Sequence, residues 1–149
     1  MASLLMNIHQ VHDCLKIICD VESDIFDSSF KGLFRKKDYV GNEGMLQTAA
    51  TKLTQIHESV KNYRSGNLGI DMVADDLKNY SYALVLSTLQ LVVINKQLGQ
   101  KASGKSYSMA EYNGDVTMFR ELQDNYMSLG AKLNADYKLY SYDIAIMEG

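Results

Sequence analysis

The chain has 149 residues, of which 46% are hydrophobic and 22% are charged, the balance of one soluble globular domain. Its formal net charge of −3 argues against the basic face that general nucleic-acid binders need, and its apolar content argues against disorder. The sequence contains no proline. Because proline interrupts helix interiors, this composition favours a few long helices.

The first two predicted helices cover residues 3–34 and 45–64. Each has apolar residues spaced alternately three and four positions apart, which is the pattern of one buried helix face. The first stripe consists of Leu4, Ile8, Val11, Leu15, Ile18 and Ile25, and the second of Leu46, Ala49, Leu53, Ile56, Val60 and Tyr63. Gly41, Asn42 and Gly44 predict a loop between the two helices.

The third predicted helix covers residues 72–98, with Asp71 as its N-cap. One apolar stripe consists of Val73, Leu77, Tyr80, Leu84, Leu91, Ile94 and Leu98. A second stripe consists of Tyr82, Leu86, Leu89 and Val93, and Val85 and Val92 widen it. A helix in a bundle turns only part of its surface to its neighbours. The second stripe must therefore be covered by a long first or fourth helix, or by another chain.

The fourth predicted helix begins with the clearest local signal in the sequence. Ser108 and Glu111 have the spacing of a capping box, and Tyr107 and Tyr112 occupy the positions of a hydrophobic staple. Its apolar stripe continues to Met147. Unless a glycine interrupts it, this helix is close to 40 residues, or roughly 60 Å, long.

These four segments predict an all-α fold, an antiparallel four-helix bundle with a long C-terminal helix, formed by a single domain over residues 1–149. The apolar spacing is close to 3.5 residues, which favours left-handed, coiled-coil-like packing. Cys14 and Cys19 point about 140° apart on a helix, so no disulfide joins them. Free thiols and the lack of a basic n-region predict a cytoplasmic protein, although leaderless export leaves no sequence signal.

Residues 99–106 match the phosphate-loop pattern G-x-x-x-x-G-K-[ST]. In a true phosphate loop a buried strand precedes the motif and a helix follows it. The preceding residues are predicted to be helical, so a flexible turn is the favoured interpretation and nucleotide binding ranks third among the functional alternatives. In a weaker form of this hypothesis, Lys101, Lys105 and Ser106 contact an anion near the start of the fourth helix.

Other reactive side chains are too few or too dispersed to indicate a catalytic or metal site. His9 and His12 lie one helical turn apart, and His57 lies on the second helix, but the Glu-x-x-His pairs of di-iron bundles are absent from the sequence. Cys14 and His12 point about 160° apart on a helix, which does not suit nucleophile and base. We expect no enzymatic activity, no metal and no cofactor.

The segment 30–37 has four basic residues with apolar residues between them: Phe30, Lys31, Leu33, Phe34, Arg35, Lys36 and Lys37. Its favoured interpretation is a charged helix end, and its alternative is contact with an anionic membrane. The apolar stretch 82–94 is too short to span a bilayer. A membrane-peripheral or membrane-active protein that uses both segments is the second functional alternative.

The second stripe of the third helix makes protein–protein interaction the favoured function, because large apolar patches, where exposed, mark interfaces. Tyrosine, which suits contact surfaces, is concentrated in the C-terminal half. We expect a self-associating module, whether adaptor, secretion-type chaperone, toxin-neutralising partner or assembly subunit. The predicted interface residues are Tyr82, Val85, Leu86, Leu89, Val93, Tyr140 and Tyr142.

Overall fold

A computed structural model of the chain describes residues 3–26 and 38–149 and contains four helices. They are α1 (Leu4–Ile25), α2 (Tyr39–Val60), α3 (Leu68–Ala102) and α4 (Met109–Glu148). The described residues contain no strand, so the all-α prediction is confirmed. The long C-terminal helix is confirmed too, because α4 has 40 residues and continues through Gly114 and Gly130. The predicted basic segment 30–37 lies outside the described residues.

Polar contacts between neighbouring helices show that they run antiparallel. Nε2 of Gln90 on α3 donates to the carbonyl of Asp115 near the start of α4, at 2.9 Å. Towards the other end, Nζ of Lys132 on α4 lies 2.7 Å from Oδ1 of Asp76 on α3. Contacts at both ends of the α1–α2 pair and of the α2–α3 pair give the same result, so consecutive helices pack with opposite directions, as the bundle prediction requires.

Helix α3 is central, because it packs against each of the other three helices. Across the described part of the chain, α2 and α4 do not contact each other and lie on either side of α3. All four helices supply the core. Its largest fully buried side chains are Leu4, Ile18, Leu46, Leu53, Ile56, Ile70, Leu77, Leu84, Leu91, Ile94, Phe119 and Leu133.

Helix α2 begins at Tyr39, so the predicted loop at Gly41–Gly44 is wrong. The side chain of Asp38 caps the helix by accepting from the Gly41 amide at 2.8 Å. Two distant residues hold this first turn: Asp24 accepts from Nδ2 of Asn42 at 2.8 Å, and Asn95 donates from Nδ2 to the Tyr39 carbonyl at 2.7 Å. These tertiary contacts compensate for the low helix propensity of glycine and asparagine.

Helix α3 begins at Leu68, one turn before the predicted start, and its N-cap is Asn67 instead of Asp71. The Asn67 side chain accepts from the amides of Gly69 and Ile70. The Asp71 carboxylate accepts instead from the Ser65 amide and hydroxyl, at 2.6 and 2.8 Å. These hydrogen bonds, with the amide bond the larger cause, lower the pKa of Asp71 below its usual range.

Both ends of α4 are fixed by side chains. At the start, Ser108 Oγ accepts from the Glu111 amide at 3.0 Å, and the Tyr107 and Tyr112 rings meet edge to face with centroids 6.1 Å apart, which confirms the predicted cap and staple. At the end, the Glu148 carboxylate accepts from the first two amides of α1, at 2.6 and 3.0 Å. The last helix of the bundle thereby caps the first.

Candidate interaction surface

Four apolar side chains on one side of α3 remain open to solvent. Tyr82 is 53% exposed, Leu86 37%, Leu89 42% and Val93 41%. Their spacing of four, three and four residues places them in one row along the helix. We call this row the α3 outer face. This exposure is unusual for α3, since most of the residues between these four positions are buried.

The position of α3 between two flanking helices explains why this face is open. On one flank, Nδ2 of Asn95 on α3 donates to the Tyr39 carbonyl of α2, at 2.7 Å. On the other, Gln90 and Asp76 reach α4. Leu84 and Leu91 point into the core. The α3 outer face lies on the side of the helix opposite these two leucines and between the two flanks.

Paired charges border the α3 outer face at both ends. Towards the start of the helix, Asp75 Oδ1 lies 3.4 Å from Arg64 Nη1 and 4.0 Å from Lys78 Nζ. Towards its end lies the Lys96–Glu43 pair. Tyr82 is held in place by the His57 ring, at a centroid distance of 5.5 Å. The result is an apolar strip with a charged rim, which is the usual layout of a protein interface.

Three predicted interface residues lie apart from this face. Val85 is half-buried and packs against the core, so it does not belong to the exposed row. Tyr140 is also half-buried and its ring covers Gly69, where an added Cβ would overlap it. Gly69 lies 13 residues before Tyr82, roughly 20 Å along α3. Tyr142 is exposed, but it lies in this same distal part of α4.

The sequence analysis missed two exposed residues beside Tyr142. Leu139 is 71% exposed, Tyr142 74% and Ile146 63%. We call these three the α4 distal row. Their spacing of three and four residues gives one helix side, distinct from the core stripe that contains Ile144. The signal was therefore present in the sequence as a second periodic stripe.

The phosphate-loop match is not a phosphate loop in the structure. Its first four residues, 99–102, form the last turn of α3, and this end of a helix carries the negative pole of the macrodipole. No strand precedes it within the described residues. Lys101, Lys105 and Ser106 are all exposed, and their side chains do not converge on one point in any contact that the structure shows.

A cavity of about 600 Å³ lies where α2 begins and α3 ends. Asn95, Lys96 and Lys105 are among its lining residues, whereas Lys101 and Ser106 are not. Oδ1 of Asn95 has no hydrogen-bond partner among the described residues. Of the three predicted anion contacts, Lys105 lines this cavity, and Lys101 and Ser106 do not.

A buried carboxyl group lies between α3 and α4. Asp76 is 5% exposed, and only its Oδ1 is bonded to a cation, Lys132. Burial, together with the neighbouring Asp136 carboxylate, raises the pKa of Asp76 to about 6. The neighbouring Asp76 side chain, and then Lys132, lower the pKa of Asp136, and Oδ2 of Asp76 has no hydrogen-bond partner among the described residues. This cluster joins two helices and has no adjoining cavity among those described, so we assign it to stability.

The residues considered for metal binding or catalysis do not converge. His9 and His12 are exposed on α1. Over residues 3–26 and 38–149, no group of three His, Cys, Asp or Glu side chains has the geometry to hold a metal ion. Cys14 is buried, and burial raises the pKa of its thiol, which favours the unreactive protonated form.

Helix α3 is long and apolar enough to cross a membrane by length and composition, but 61% of its most apolar 18-residue window is buried against the rest of the chain. The core helix of a soluble bundle has the same properties.

Comparison of the chain with protein-family models, curated proteins and solved structures finds no match.

Proposed function

We propose that this chain is a non-catalytic helical interaction module that docks onto a protein partner through the α3 outer face. The observation that carries the proposal is the exposure of Tyr82, Leu86, Leu89 and Val93 on the most central helix of the bundle. Their open apolar area is roughly 200–300 Å², at or just below the roughly 300–600 Å² of the largest patch on an ordinary monomer, which is often functional.

The chemistry of the face supports a protein partner more strongly than a lipid surface. Membrane-surface helices combine a broad apolar face with unpaired basic residues that attract anionic lipid. The bordering charges here are of both signs, and Lys96 and Asp75 each have an oppositely charged neighbour in their own chain. A tyrosine braced by His57 is the kind of rigid aromatic anchor that protein interfaces use.

Site-specific photo-crosslinking tests the proposal. A benzophenone side chain is placed at Leu86, and as a matched control at His12, which is exposed on α1. We expect protein adducts from position 86 in the native cells, none from position 12, and loss of the adduct when Leu89→Glu is added. Equal labelling at both positions, or no protein adduct at position 86, would overturn the proposal.

Vesicle flotation separates the membrane alternative from a protein partner. The protein is mixed with neutral vesicles and with vesicles that contain anionic lipid. We expect it to remain in the lower fractions in both cases. Flotation that Leu86→Glu abolishes would assign the same face to a membrane and contradict a protein partner.

A further inference from the structure

We draw no further inference here: the strongest candidate, the cavity where α2 begins and α3 ends, is lined by charged side chains of both signs that select no one class of ligand, and the unpartnered Oδ1 of Asn95 is itself closed to solvent, so nothing in the structure shows what would occupy it.

Discussion

The buried carboxyl of Asp76 makes the stability of the bundle depend on pH in an unusual direction. Most paired carboxylates stabilise a folded protein when they ionise. The pKa of Asp76 is instead raised from 3.8 to about 6, chiefly by burial. The folded chain thus binds this proton more tightly than the unfolded chain. The contribution of Asp76 to stability is complete at low pH and is lost as the pH rises through about 6.

The substitution Asp76→Asn measures this contribution. Asparagine keeps an oxygen that accepts from Lys132 and replaces the buried, unpartnered Oδ2 with an uncharged amide nitrogen. The shift of the Asp76 pKa from 3.8 to about 6 means that ionisation of this buried group destabilises the folded chain by at most about 3 kcal/mol at pH 7.5 and about 1 kcal/mol at pH 4.5. We expect the variant to be more stable than the wild type by up to these amounts. The gain at pH 7.5 should exceed that at pH 4.5.

Urea unfolding followed by circular dichroism at the two pH values gives both free energies. The control is Asp75→Asn, since Asp75 is the adjacent carboxylate, forms an exposed ion pair with Arg64 and should change stability by less than about 1 kcal/mol at either pH. If Asp76→Asn destabilises the protein at pH 7.5, the ion pair with Lys132 outweighs the burial of the charge, and the reasoning is refuted.

Further predictions concern helix α4. Gly114→Ala should stabilise the protein by roughly 0.5–1 kcal/mol, because a Cβ there meets nothing within 4 Å. Gly130→Ala should lower stability by roughly 1–3 kcal/mol, because its Cβ would lie 2.9 Å from the Tyr80 ring. Thermal melts that rank the two glycine variants in the opposite order would contradict both predictions. Glu148→Ala should reduce stability by roughly 1–2 kcal/mol and speed hydrogen exchange of the first α1 amides. Unchanged exchange at Leu4 would show that the cap contributes nothing.

The elements that could be predicted from the sequence are those whose signals are local. The spacing of Ser108 and Glu111 located the start of α4 to the residue, because a capping box involves only neighbouring positions. The core stripes could be predicted equally well, since buried residues recur with the period of the helix. Leu86 and Leu89 were identified as a second stripe for the same reason.

What escaped prediction depends on residues far apart in the chain. The first turn of α2 is helical because Asp24 and Asn95, from α1 and α3, bind its polar groups. The local helix propensity of this turn does not indicate these distant partners. The raised pKa of Asp76 likewise arises from its burial and from Asp136 of α4, 60 residues further along the chain. The α4 distal row is a different case. Its periodic spacing is visible in the sequence, and only the exposure of its side chains had to be taken from the structure.

The central place of α3 has a consequence for how anything binds to it. The helix that presents Leu86 and Leu89 is also the one that anchors α1, α2 and α4, so its backbone cannot shift without disturbing the whole bundle. Recognition at this site should therefore proceed as a rigid-body encounter, with side-chain adjustment and no refolding. By mass action, an occupant that requires the intact helix would also raise the melting temperature of the entire domain.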